Sequence, residues 1–108
     1  MLEQITVLIT AGSMEEGRKI ANALVEEGLA ACVNIVPQVS SIYRWKGEIR
    51  EDQEVLLIAK SRKEIFERLA SRVKELHSYD VPETIALPIA AGDEDYLSWI
   101  NKEVKAGR

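Results

Sequence analysis

Hydrophobic and polar positions along the chain change period several times, and each change marks an element. Ile5-Thr6-Val7-Leu8-Ile9 is β-branched and almost continuously apolar, which predicts a buried strand. Ser13 follows, with Glu16 three residues on, the pattern of a capping box at a helix start. Gly17, Ile20, Ala21, Leu24 and Val25 then fall on one helical face, and Gly28 suits the residue just past a helix end. The spacing predicts a helix over 13–27. From Ala30 to Trp45 the chain reads as strand, with Pro37 at a bulge or edge position and Lys46-Gly47 as a two-residue turn. A second extended run covers 48–60. Ser61 and Glu64 repeat the capping-box spacing, ahead of a stripe of Ile65, Phe66, Leu69, Val73 and Leu76. A loop at 78–82 leads to a strand over 83–89. Asp93 then caps a last helix carrying Tyr96, Leu97, Ile100 and Val104.

The predicted order is β-α-β, β-α-β and a terminal helix. It reads as one α+β domain over 1–108: a ferredoxin-like split βαβ with a long central hairpin, both main helices on one face of the sheet. The hairpin is long for so small a chain. A strand over 31–45 spans roughly 45–50 Å. A compact domain of this length is roughly 34 Å across. The hairpin end, with Ile42, Tyr43, Trp45 and Ile49, therefore outreaches its own core unless it bends back at Pro37. Exposed on a free ribbon, those residues make an apolar patch beside an open strand edge. The pattern predicts that other copies of the chain bury them in a closed symmetric ring. The terminal helix, with Tyr96 and Trp99, supplies part of the receiving surface.

Composition narrows the function classes. The 108 residues are 46% hydrophobic and 30% charged, ordinary globular usage. Fourteen Lys and Arg against 18 Asp and Glu leave a formal charge of −4, which disfavours a dedicated duplex binder. One Cys and one His exclude an intramolecular disulfide and a four-ligand Cys/His zinc site within one chain. Met1-Leu2-Glu3-Gln4 offers no basic n-region, and the apolar run behind it is too short for a signal peptide or a membrane span. The expectation is a soluble protein of a reducing compartment, the cytoplasm, with no nucleic-acid partner and no membrane insertion.

Several blocks together resemble a known family. Ala31-Cys32-Val33-Asn34-Ile35-Val36-Pro37 followed by Ser41-Ile42-Tyr43-Arg44-Trp45-Lys46-Gly47 is similar to the signature of the CutA divalent-cation tolerance proteins. Glu54-Val55 through Lys60-Ser61, His77-Ser78-Tyr79-Asp80-Val81-Pro82-Glu83, and Gly92-Asp93 through Trp99-Ile100 agree in order and spacing. The resemblance implies a cytoplasmic homotrimer whose hairpins pair between subunits. It also implies a role in divalent-metal tolerance, with copper binding reported for bacterial members, and no known reaction. The family's bacterial metal site uses a first-strand Cys and two adjacent His. Here those positions hold Ile9, Leu76 and His77, and the family's usual Pro after the His is Ser78.

His77 can ligate copper or zinc through a neutral ring nitrogen, and Asp80 and Glu83 lie near it as oxygen donors. Alternatively His77 merely ends the second helix, where its charge suits the dipole. Cys32 reads as a small core hydrophobe. Lys60, Tyr79 and Glu83 sit near strand ends and in a loop, where they can line a ligand cleft or form structural clasps. Glu26, Glu27, Arg68 and Lys74 read as solvated helix faces. No triad spacing, Walker loop or dinucleotide glycine pattern is present. The expectation is therefore a non-enzymatic homotrimer of metal tolerance with weak or conditional binding of copper or another divalent metal and no required cofactor. One alternative is an effector-sensing trimer of the PII kind, holding a small molecule between subunits. Another is an acylphosphatase-type phosphohydrolase that cradles an anion at Ala11-Gly12-Ser13, with Arg18 nearby.

Overall fold

Alternation governs the first strand as far as Ile9, beyond which Thr10 and Ala11 are both buried. In β1 (Gln4–Ala11), Ile5, Val7 and Ile9 are buried, while Thr6 and Leu8 point to the other face and are half-buried. The computed structural model describes residues 3–105, so the outermost residues of the 1–108 domain, Met1 and Leu2 among them, lie outside the described residues. Ser13 caps α1 (Met14–Glu26): its Oγ accepts the Glu16 N–H at 3.1 Å. Only this half of the expected capping box forms, because the Glu16 carboxylate turns away to Ser78. Gly28 ends the helix at φ 73°, a conformation open to residues without a Cβ.

β2 (Cys32–Trp45) and β3 (Glu48–Arg62) form the long hairpin. Their register slips between Val36 and Val39, placing the bulge at Pro37, whose missing N–H cannot serve a ladder. Lys46 and Gly47 take φ 50° and 80° in the connecting turn, matching the right-handed twist of the strands. The bulge does not fold the ribbon back, and the molecule measures 43 × 26 × 22 Å.

The second capping box does not form. Ser61 belongs to β3, is fully buried, and donates its hydroxyl to the Leu29 carbonyl at 2.7 Å. A 3₁₀ turn at Lys63–Ile65 leads into α2 (Phe66–Leu76) without a side-chain cap. β4 (Thr84–Pro88) follows, and then α3 (Glu94–Glu103), whose N-cap Asp93 accepts the Tyr96 N–H at 3.1 Å.

All pairings are antiparallel, in the order β2-β3-β1-β4, the split βαβ arrangement. Ile20, Leu24, Leu69 and Val73 of the helices pack on Val7, Ile9 and Leu57 of the sheet. Each such side chain contributes about 1.5–3 kcal/mol by leaving water. Gly17 lets α1 approach the sheet closely, since a Cβ there would stand 3.3 Å from Val55 Cγ1. β2 and β4 remain as the two edges.

Candidate functional site

α2 ends at His77, where ψ swings to 143° and the chain leaves the helix. The imidazole is buried, and both nitrogens are engaged. A carbonyl can only accept, so Nε2 carries the proton and donates to the Thr10 oxygen at 2.7 Å. Nδ1 then accepts the Tyr79 N–H at 3.1 Å. Glu16 of α1 receives the Ser78 N–H at 3.0 Å and the Ser78 hydroxyl at 3.2 Å, and lies 3.8 Å from His77 Nδ1. One ring thus ties β1, the end of α2 and the following loop together.

The tied loop aims Tyr79 across the strand ends. Its ring lies 4.6 Å from the His77 ring, and its hydroxyl donates to Glu54 of β3 at 2.8 Å. Burial first, and then that bond, push the Tyr79 hydroxyl well above its ordinary value. Gly12 lies directly beneath: a Cβ there would stand 3.2 Å from the Tyr79 oxygen. The hydroxyl therefore sits where the phosphohydrolase reading needs an anion, with the Glu16 carboxylate close by.

Between this loop and the hairpin lies a groove of about 550 Å³. Tyr43, Trp45, Arg50 and Glu54 line the hairpin side, and Tyr79, Asp80, Val81 and Glu83 the loop side. Tyr43 donates its hydroxyl to Asp52, a bond that, ahead of slight burial, raises the Tyr43 pKa. Of the predicted cleft residues, Tyr79 and Glu83 meet here. Lys60 does not: it stands opposite Cys32 in the β2–β3 ladder and bonds Asn34 Oδ1. Alternation alone could not show which end of β3 closes on the loop. Thr10, Arg50 and Glu54 enter the groove through long-range pairing, which carries no local sequence signal.

The hairpin end is exposed as expected, Ile42 and Ile49 at 70% each, with Tyr43 and Trp45 less so. Trp99 lies on α3 beside Tyr96, the rings 5.6 Å apart, and is partly exposed. Cys32 is half-buried rather than sealed in the core, and its thiol faces the Tyr96 hydroxyl, whose pKa rises through burial and then that neighbour. Glu27 is not merely solvated: the Arg72 guanidinium grips it at 2.9–3.1 Å and holds its carboxyl below the ordinary range.

Among the described residues no group of three His, Cys, Asp or Glu is placed to hold an ion, and His77 has no free nitrogen. A preformed single-chain site does not fit these residues.

The profile of the CutA1 divalent ion tolerance protein family matches residues 5–103. The chain belongs to that family. The divalent-cation tolerance protein CutA of Thermus thermophilus is 59% identical over 89% of this chain and 93% of its own length. The chloroplastic CutA of Arabidopsis thaliana is 48% identical over 94% of this chain, which spans 56% of that longer protein. Among solved structures, the Thermus Cut A1 protein superposes with a TM-score of 0.93 at 56% identity, covering 94% of this chain and 99% of that one. Rice CutA1 superposes at 0.95 and 42% identity, covering 98% and 97%. A CutA structure from Archaeoglobus fulgidus is described as periplasmic, so CutA relatives carry names from more than one compartment. No helix among the described residues is long and apolar enough to cross a membrane.

Proposed function

We propose that this CutA-family chain acts as a non-catalytic homotrimer in divalent-metal tolerance, in a reducing compartment such as the cytoplasm. The family match over residues 5–103 carries the reading. The exposed hairpin end and the two uncovered sheet edges support the assembly.

Metal binding in this reading is conditional. Asp80 and Glu83 offer hard oxygen donors at the groove mouth, and His77 offers nitrogen only by giving up the Thr10 or Tyr79 bond. Three groove mouths brought together in a ring pool donors that one chain lacks. Calorimetric titration with Cu²⁺ and with Zn²⁺ tests this on the wild type, His77→Ala and Glu83→Gln. The expected result is weak saturable binding, reduced in both variants. Binding that neither substitution changes removes these residues from the site.

The groove of about 550 Å³, walled by Tyr43, Trp45 and Tyr79, supports one further reading, a PII-like sensor of a small organic effector. A thermal-shift screen separates the two. Stabilisation by an organic metabolite and none by metals favours the sensor; the reverse favours metal tolerance.

A further inference from the structure

The groove between hairpin and loop is rich in acceptors and short of free donors. Tyr79 donates its hydroxyl proton to Glu54, and Tyr43 donates its own to Asp52. Both phenols are left with lone pairs alone to offer a ligand. Glu54, Asp80 and Glu83 line the groove as carboxylates, against the guanidinium of Arg50. Arg50 has Glu48 3.6 Å away, whereas Asp80 and Glu83 make no ion pair among the described residues.

One end of the groove also holds an unused hydroxyl. Thr10 lines it at 8% exposure, and His77 engages the threonine's backbone oxygen, not its side chain. Among the described residues the Thr10 hydroxyl makes no hydrogen bond. A buried hydroxyl without a partner is costly, and a ligand N–H recovers that cost. Thr10 stands opposite Leu56 in the ladder, and Glu54 comes next on the same face of β3, so hydroxyl and carboxylate share this end. Tyr43 and Trp45 stand farther along the hairpin, opposite Arg50 and Glu48. Their ring faces attract a cation and pack an apolar stem equally well.

We propose, resting on the effector reading above, that the groove takes a small organic primary ammonium ion with an apolar body. Its N–H groups bond the Thr10 hydroxyl and the Glu54 carboxylate, and its stem lies against Tyr43 and Trp45. Asp80 and Glu83 add attraction from the loop side. An organic anion meets carboxylates and spent phenols here, and a neutral apolar molecule leaves Thr10 unpaired.

The test titrates two probes of like shape and opposite charge, phenethylammonium and hydrocinnamate, into the full-length protein by calorimetry. Thr10→Val, Trp45→Leu, and Asp80→Asn with Glu83→Gln are titrated alongside the wild type. Circular dichroism and light scattering check that each variant folds and assembles as the wild type does. Thr10→Val and the carboxylate pair decide the test by themselves where Trp45→Leu does not. The ammonium is expected to bind saturably and the carboxylate not, with affinity for the ammonium falling about fivefold in each variant. Ammonium binding that no variant weakens overturns the site. Hydrocinnamate binding in place of the ammonium overturns the ligand class and leaves the effector reading standing. Binding of neither probe overturns the proposal, and the effector reading is then decided by the thermal-shift screen, which does not depend on the ligand's charge.

Discussion

Replacing His77 by alanine removes the donor to Thr10 and the acceptor for Tyr79 in one step, leaving buried backbone groups without partners. The expected cost is about 1–3 kcal/mol, read from urea unfolding at fixed protein concentration. Stability equal to the wild type would show that the ring does not hold the loop. Tyr79 supplies a pH signature at the same scale. Its hydroxyl is held above its ordinary value of 10.0, by burial first and then by the bond to Glu54. Above that value the unfolded chain has released the proton and the folded chain has kept it. The stabilisation is therefore complete below about pH 10 and is lost as pH rises toward the folded value. The urea midpoint should fall on the alkaline side, and Tyr79→Phe should remove part of the fall. An unchanged alkaline slope in the variant would contradict the assignment. The sequence showed His77 at a helix end and Tyr79 near a cleft. It could not show that the imidazole faces inward, because its partner is a backbone carbonyl 67 positions away.

Elements were legible wherever their signals were local. The Pro37 bulge, the Lys46-Gly47 turn and the Ser13 and Asp93 caps stand where the pattern puts them. The second capping box fails because a tertiary bond competes for its serine. Ser61 continues β3, and its hydroxyl stitches the strand to the Leu29 carbonyl. The two roles predict different mutants. Ser61→Ala should cost about 1–3 kcal/mol in urea unfolding, through the lost buried bond. Glu64→Gln should cost no more than about 1 kcal/mol, since the exposed Glu64 makes no capping bond and only a long ion pair with Arg62 at 3.9 Å. Comparable losses in both variants would restore the capping box. Lys60 stands apart from the groove because it shares a face of β3 with Glu54 but lies toward the other end of the strand, and the sequence does not reveal which end closes on the loop.

At the scale of the molecule, arithmetic on strand length anticipated the shape. A ribbon longer than a compact domain of this size gives a 43 Å axis over a 26 × 22 Å section. The groove beside it gathers Tyr79, Asp80 and Glu83 against Tyr43 and Trp45 of the hairpin. Exposed apolar residues at the tip and along β4 are the remaining physical demand of the fold, which the proposed assembly would meet. The most direct measurement is the molar mass of the dissolved protein by light scattering at micromolar concentration. The account predicts three times the chain mass. A well-folded particle of one chain mass, with hairpin and edges open to water, would contradict it.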